Sequence, residues 1–205
     1  MPHLPQHPIL LESFAIIDRE IGPHPLSEAE YAIVRRVIHT TADFEFQHLL
    51  RFSPGAIAGA IAALAQQVPI VTDVGMVRQG CAGMVARTFG NPLVAAVDFA
   101  DQAEPGKTRT ETGLLRAWEQ FPTAIYAIGN APTALRALCD RCLATGTSPA
   151  LIIGAPVGFV GVQEAKAHLA AMPLPQICVT GRKGGSTVAA AILNALLIMA
   201  WEAQP

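Results

Sequence analysis

The stretch from residue 124 to residue 138, AIYAIGNAPTALRAL, joins an apolar run, a Gly-Asn turn and a helix opening in one unit. Ala124 to Ile128 is typical of a buried strand because it is apolar throughout and is bounded by Gly129. Pro132 suits the first turn of a helix, where its missing N–H costs nothing. A buried strand that leads directly into a helix is the repeating unit of parallel α/β sheets.

The same unit recurs along most of the chain. Short apolar runs bounded by Gly, Pro or Asp predict four further strands at Val68 to Thr72, Leu93 to Val97, Leu151 to Ile153 and Ile177 to Thr180. Helical patterns occur at Ser27 to His39, Ala56 to Gln67, Thr112 to Gln120, Thr133 to Ala144, Gln163 to Ala171 and Thr187 to Trp201. The alternation predicts a three-layer α/β/α domain with a five-stranded, mostly parallel sheet. We expect one domain over residues 1–205, with residues 1–26 as an N-terminal extension that packs on the core.

Composition narrows the classes of function. The 205 residues are 51% hydrophobic and only 15% charged, with a formal net charge of −2, so the chain is folded and has no general field for nucleic acid. The longest apolar run, Val188 to Trp201, is shorter than the roughly 20 residues of a membrane span and is interrupted by Asn194. Residues 1–11 lack the basic region of a secretory signal, so we expect a cytoplasmic protein with reduced thiols.

Polar segments follow the predicted strands, at the edge where such sheets bind ligands. The amide of Asn130 can donate and accept hydrogen bonds and could orient a polar ligand, although a plain helix start also explains this segment. Gly181 to Ser186, GRKGGS, places Arg182 before a long helix, which favours an anion. The segment lacks P-loop spacing, so we favour a carboxylate over a nucleotide phosphate, and a tight strand–helix connection is the simpler alternative.

Two further side chains are candidates for chemistry or binding. His39 stands at the predicted end of a helix, where a histidine can simply complement the helix dipole. Thr40, Thr41 and Asp43 follow it and offer partners that could tune the imidazole for acid–base work. Arg109 precedes a helix and could clamp a carboxylate with two parallel hydrogen bonds, or be a solvated loop arginine.

No metal site is predicted from the sequence. Cys139 and Cys142 form a Cys-x-x-Cys pair within a helical pattern, without a second pair or a histidine at ligand spacing. We interpret both as core residues. The remaining histidines form no triad at a recognisable spacing.

Six segments, in order along almost the whole chain, resemble the signature blocks of the precorrin-8X methylmutase family, also called precorrin isomerases. They lie at residues 7–14, 37–43, 70–77, 129–135, 156–160 and 181–186. The resemblance implies a flavodoxin-like fold, a cytoplasmic homodimer and no redox cofactor or nucleotide. It implies an isomerase of cobalamin biosynthesis, which moves a methyl group from ring position 11 to position 12 of precorrin-8X or cobalt-precorrin-8 to give hydrobyrinate or cobyrinate.

The resemblance also implies roles for particular residues. The essential histidine of the family falls on His39, as a proton donor to the macrocycle, and Ser13, Thr72 and Arg109 fall on positions expected near the substrate. The physical arguments above add two substrate-binding candidates, Asn130 and Arg182, as anchors for carboxylates.

Two alternative functions stay open. A nucleotide-dependent transferase would use the glycine-rich loop around Gly184. A non-catalytic carrier would bind tetrapyrrole intermediates without converting them. Ligand-induced thermal stabilisation tests the first alternative, and product formation tests the second.

Overall fold

The computed structural model describes residues 7–204, so the first six residues of the predicted extension, and Pro205, lie outside the described residues. The helices are α1 (Pro8–Ile21), α2 (Glu28–Thr41), α3 (Phe46–Leu49), α4 (Ala56–Ala65), α5 (Gly75–Arg87), α6 (Arg109–Gln120), α7 (Pro132–Thr145), α8 (Val162–Ala170) and α9 (Ser186–Glu202), with a 3-10 helix at Ala96–Phe99. The strands are β1 (Leu50–Phe52), β2 (Ile70–Thr72), β3 (Leu93–Ala95), β4 (Ile125–Ile128), β5 (Leu151–Gly154) and β6 (Gln176–Val179).

The strands form one sheet in the order β1-β6-β5-β4-β2-β3. Strands β2 to β6 pair in parallel, whereas β1 pairs antiparallel with β6. Counted along the chain, the five parallel strands have the order 2-1-3-4-5, which is the flavodoxin-like order. The direction of winding reverses between β2 and β4, and this is the switch point at which such sheets bind ligands. The predicted α/β architecture is confirmed.

The predicted number of five strands is wrong, because the sheet has six. The missed strand, β1, is three residues long and has the exposed Arg51 at its centre. Strands β2, β4 and β5, which lie in the middle of the sheet, are buried at every position. Their sequences are therefore apolar runs that can be recognised as strands. Strand β1 lacks that signature, because it lies at an edge of the sheet with Arg51 exposed.

Two cores lie on opposite faces of the sheet. Ile125 and Ala127 of β4 pack in the core with α1, α2, α4, α5 and α9. Tyr126 and Ile128, which point the other way, pack in the core with α6, α7 and α8. This alternation within one strand produces the three layers, because successive side chains of a strand point to opposite faces.

Local sequence signals fix several helix ends. The Ser27 hydroxyl accepts from the Glu30 backbone N–H, and the Glu30 carboxylate accepts from the Ser27 N–H, so the two residues form a capping box at the start of α2. Ala42, in the left-handed region with a φ of 52°, ends α2. A second capping box, between Thr108 and Glu111, starts α6 at Arg109, three residues before the predicted start at Thr112.

Helix α5 is absent from the predicted elements because it contains three glycines, which disfavour a helix. Gly80 has a packing reason, since a Cβ atom there would lie 2.8 Å from the Cβ of Ala190 in α9. Helix α1 packs on α2 and buries Phe14 and Ile17 in the core. Within residues 7–204, none of the helices has the length and apolar character to cross a membrane.

Candidate functional site

The carboxyl edge of the parallel sheet gathers most of the predicted site residues. Because β1 runs antiparallel to β6, with Leu50 opposite Val179, β1 begins at the edge where β6 ends. The N–H of Thr180 donates to the Leu49 carbonyl at 2.9 Å and fastens the two segments together. The antiparallel strand therefore brings residues 42–49, which follow α2, to the edge where Asn130 and Arg182 lie.

His39 lies in the last turn of α2, and its side chain is exposed. Its ring packs edge-on against Phe14 of α1, with 5.5 Å between the ring centroids. His39 and Ser13 line the same cavity of about 220 Å³ between α1 and the end of α2. The structure thus brings Ser13 and His39 together, although they are far apart in the chain.

The expected partners of the imidazole are engaged elsewhere. The hydroxyl groups of Thr40 and Thr41 donate to the carbonyls of Arg36 and Val37, one turn back in α2. No hydrogen bond to the His39 ring is formed within residues 7–204. Both ring nitrogens are therefore free to meet a substrate.

Asp43 is tied to the basic loop after β6 (residues 180–185) instead of to His39. The Lys183 ammonium lies 2.6 Å from Oδ2 of Asp43 and 3.0 Å from Oε2 of Glu45. The hydrogen bond from Lys183 lowers the pKa of Asp43, and the same bond raises the pKa of Lys183. The basic loop is thereby joined to the segment that follows His39 in the chain, at the edge of the sheet.

Arg182 and the loop between β5 and α8 form an exposed surface of mixed character. The guanidinium of Arg182 lies 5.6 Å from the centroid of the Phe159 ring. Phe159 and Val160 are 83% and 91% exposed, which is unusual for large apolar side chains. Arg182 forms no salt bridge within residues 7–204. A cation beside open apolar groups suits a ligand with an apolar body and carboxylates.

Asp73 occupies the switch point between β2 and β4. Its carboxylate is fully buried and accepts hydrogen bonds from four backbone N–H groups, those of Val74, Gly129, Asn130 and Ala131. Burial raises the pKa of Asp73, and these N–H groups oppose that effect by stabilising the charged form. The Asn130 side chain, by contrast, is exposed at the edge.

Thr72 and Arg109 lie apart from the cavity at His39. Thr72 is fully buried, and its hydroxyl lies within hydrogen-bond distance of the carbonyls of Val74 and Val94. Arg109 donates from Nε to the Ala100 carbonyl at 2.7 Å and from a terminal nitrogen to the Val97 carbonyl at 3.2 Å. Both side chains hold the backbone that follows β2 and β3, and their contact with substrate stays a prediction.

Lys166 is a buried lysine that the sequence patterns left out. It is 3% exposed, and its ammonium donates to the carbonyls of Gly181 and Lys183 at 3.0 and 2.6 Å. Burial lowers its pKa to about 8. Its position on the apolar stripe of α8, four residues after Val162 and three before Leu169, is a signal that could have revealed it.

A groove of about 790 Å³ lies between β1 and α8. Its lining includes two cationic residues, Arg51 and Lys166, and no Asp or Glu. Thr180 and Gly181 of the basic loop also line this groove. Lys166 lines it as well and donates to the Gly181 carbonyl, so it links the groove to the loop at the carboxyl edge.

The four cysteines are free and buried, which confirms the interpretation of Cys139 and Cys142 as core residues. Burial raises the pKa of each thiol, so all four are poor metal ligands. Within the described residues, no group of His, Cys, Asp and Glu side chains could hold a metal ion.

Comparison with known proteins decides the family. The family model for precorrin-8X methylmutase matches residues 8–199. The chain belongs to the precorrin-8X methylmutase family. A cobalt-precorrin-8 methylmutase from Synechocystis sp. is 59% identical to it, over 96% of this chain and 97% of that protein. A precorrin-8X methylmutase from Pseudomonas aeruginosa is 39% identical, over 92% of this chain and 93% of that protein.

The fold agrees with a solved member of the precorrin-8X methylmutase family. The crystal structure of the precorrin-8X methylmutase from Thermus thermophilus matches with a TM-score of 0.85 and 42% identity, over 95% of this chain and 96% of that one. The resemblance seen in six sequence segments is thereby confirmed, and the chain is an isomerase of cobalamin biosynthesis with a corrinoid substrate. The residue roles carried over with that resemblance stay predictions.

Proposed function

We propose that this chain moves a methyl group from ring position 11 to position 12 of precorrin-8X or cobalt-precorrin-8, yielding hydrobyrinate or cobyrinate. The observation on which the proposal rests is the unpartnered, exposed imidazole of His39 beside Ser13, in a chain of this family. The name of the relative at 59% identity favours the cobalt form, in which cobalt is part of the substrate.

His39 is the proposed proton donor. A protonated imidazole that donates a proton, or a strong hydrogen bond, to the macrocycle draws electron density from the conjugated system. The barrier to methyl migration then falls. The proton returns to His39 once the methyl group has moved, so substrate and product contain the same atoms.

The remaining site residues are proposed to bind and orient the macrocycle. Arg182 and Asn130 are exposed at the carboxyl edge and would pair with acetate and propionate carboxylates. The open face of Phe159 would lie under the apolar part of the ring system. Ser13 would contact substrate at the His39 cavity, whereas Thr72 and Arg109 would act by holding the backbone after β2 and β3.

We also propose a cytoplasmic homodimer. The cavity at His39, about 220 Å³, would hold only part of a macrocycle of four pyrrole-derived rings, so the rest of the macrocycle would lie against other surfaces of this chain or of a second subunit. Ile16, which lines the cavity, and Ile9 and Leu11 of the same helix are exposed and would offer an apolar surface to a second subunit. Analytical ultracentrifugation tests this association directly.

The deciding experiment is single-turnover conversion followed by absorbance. Wild-type protein is mixed in excess with metal-free precorrin-8X and then with the cobalt form, beside the His39→Ala variant. Conversion by wild type alone supports both the reaction and the role of His39. If wild type binds metal-free precorrin-8X and the cobalt form without converting either, the non-catalytic carrier function is favoured instead.

A nucleotide phosphate at the switch point is disfavoured by Asp73, whereas the glycine-rich loop around Gly184 is tested by the measurement below. The backbone N–H groups at the start of α7, which would meet a phosphate at the switch point, already bind this carboxylate. A thermal-shift measurement with ATP is the check, and we expect no stabilisation.

A further inference from the structure

The switch point between β2 and β4 is where the helices that follow adjacent strands part to opposite faces. Helix α5 follows β2 and packs in the core with α9, whereas α7 follows β4 and packs in the core on the other face. In sheets of this strand order the gap between such helices receives the ligand, with an anionic group at a helix N-terminus. Here the gap contains a side chain of the chain itself.

The Asp73 carboxylate is bound there as an anion would be. Oδ1 accepts from the N–H groups of Val74 and Gly129, both at 3.0 Å, and Oδ2 accepts from those of Asn130 and Ala131 at 2.7 and 2.8 Å. Three consecutive N–H groups thus converge on one carboxylate, which is the arrangement of an anion-binding nest. Asp73 forms no salt bridge within residues 7–204.

Helix α7 depends on this contact for its N-terminus. Its N-cap residue is Ala131, which has no side chain able to accept a hydrogen bond, and no local cap is formed. A residue more than fifty positions earlier in the chain performs the capping. The negative charge also complements the positive end of the helix dipole.

The same contact fixes the edge of the proposed site. Gly129 has no room for a side chain, since a Cβ atom would lie 2.8 Å from Cα of Ser186, the first residue of α9. The end of β4 is therefore clamped between Asp73 on one side and the start of α9 on the other. Asn130, whose backbone N–H is held at 2.7 Å, projects from this clamp with its side chain exposed.

We propose that Asp73 is a positioning residue: its carboxylate takes the place of a ligand's anionic group at the switch point and holds Asn130 where it meets the substrate. The inference rests on the proposed function, because Asn130 is assigned there to a substrate carboxylate. Asp73 itself touches backbone only and takes no part in the proton transfer.

Chemical rescue tests the proposal. Asp73→Ala removes the carboxylate and leaves a space that a formate ion fills, whereas Asp73→Asn keeps the volume filled and serves as the matched control. We expect Asp73→Ala to lose about 10- to 100-fold in kcat/KM, chiefly through a higher KM, as for a misplaced binding group. Added sodium formate should restore activity to Asp73→Ala and not to Asp73→Asn, with sodium chloride as the control for ionic strength.

A double variant separates positioning from general stability. If Asp73 acts through Asn130, Asp73→Ala combined with Asn130→Ala should lose little more activity than Asn130→Ala alone. Additive losses would overturn the proposal. So would a formate effect on the melting temperature of Asp73→Ala without any effect on KM.

Two further outcomes are distinguished by the same set of proteins. If Asp73→Ala does not fold without formate, Asp73→Asn replaces it in the double-variant cycle with Asn130→Ala. An unchanged KM in Asp73→Asn would then refute positioning. If wild type fails to convert either form of precorrin-8X, the proposed reaction fails by itself. The cycle is then measured on macrocycle affinity by absorbance titration, where additive losses again overturn the role of Asp73.

Discussion

The Nζ atom of Lys183 lies 2.6 Å from Oδ2 of Asp43, so the basic loop after β6 is bound to the segment that follows the helix of His39. Asp43 comes four residues after His39, and Lys183 is adjacent to Arg182. The segments that contain the proposed proton donor and a proposed carboxylate anchor are therefore joined by the ion pairs of Lys183 with Asp43 and Glu45. The ion pairs thus connect two elements that are remote in sequence at the edge of the sheet.

Replacing Lys183 should affect catalysis more than stability. Lys183→Met removes the link to Asp43 and Glu45, and exposed ion pairs add little to the free energy of unfolding. We expect a nearly unchanged melting temperature and a several-fold loss in kcat/KM. Lys107→Met, which breaks an exposed ion pair with Glu104, is the matched control and should retain full activity. Equal activity of both variants would contradict the link.

Acid should erase any stability difference between wild type and Lys183→Met. The pKa of Asp43 is lowered by Lys183, so the contribution of the pair is present above the ordinary pKa of an aspartate and is lost as pH falls through the lowered value. The melting-temperature difference should be constant around neutral pH and vanish in strong acid. A difference that grows on acidification would show that another group is responsible.

Two replacements of His39 separate catalysis from binding. His39→Ala should keep the fold and the dimer, because the side chain is exposed, but lose about 100- to 10,000-fold in turnover as expected for a general acid. His39→Asn keeps a hydrogen-bond donor and should retain macrocycle affinity without turnover. Single-turnover absorbance and titration measure the two quantities, and near-normal turnover in either variant would exclude His39 as the proton donor.

Lys166 should make stability depend on pH in the alkaline range. Its pKa falls from 10.5 to about 8 in the folded chain, so between these values the unfolded state binds more protons and stability rises with pH. The melting temperature of wild type should therefore rise relative to that of Lys166→Met between those two pH values. A parallel course of the two curves would show that the Lys166 amine titrates normally.

Two glycines of the basic loop should differ in how much stability is lost when each is replaced. A Cβ atom on Gly184 would lie 2.4 Å from the Ala155 carbonyl oxygen, with a φ of 155°. Gly184→Ala should cost about 2 kcal/mol or more, since backbone strain and a clash combine. Gly181→Asn is the control, because Gly181 has a φ of 71° and open space around it, and asparagine tolerates that conformation. Urea unfolding measures both, and equal losses would contradict the packing argument.

Mixed dimers test whether the site is shared. His39→Ala and Arg109→Ala subunits, each first tested for loss of activity alone, are unfolded together and refolded as a mixture. If one site takes His39 from one subunit and relies on Arg109 of the other, each heterodimer has one intact site, and we expect activity to return. An inactive mixture that contains heterodimers would assign both residues to the same subunit's site.

The sequence predicts the fold well where burial is complete and less well where it is partial. The run from Ile125 to Ile128 is apolar at every position because both faces are covered, and its strand was predicted. The strand Leu50–Phe52 lies at the edge with an exposed arginine and was missed. Helix α5 was missed because its close packing on α9 requires Gly80, and glycine in a sequence argues against a helix.

The candidate site shows the same division. His39 and Ser13 could be named from the resemblance to a known family, but their shared cavity exists only after α1 packs on α2. The roles of Asp73 and Lys166 are set by contacts that reach 58 and 17 residues along the chain. The place of Lys166 on the apolar stripe of α8 indicates that it is buried, but neither residue lies in a local motif that identifies its partners.

Both edges of the sheet are short. The outermost strands, β1 and β3, have three residues each, and β1 presents Arg51 to solvent. Short edges with a charged residue are poor templates for another chain's backbone, which guards a protein with so many apolar strands against aggregation. The proposed dimer would consequently assemble through helices and loops, the surfaces that also surround His39.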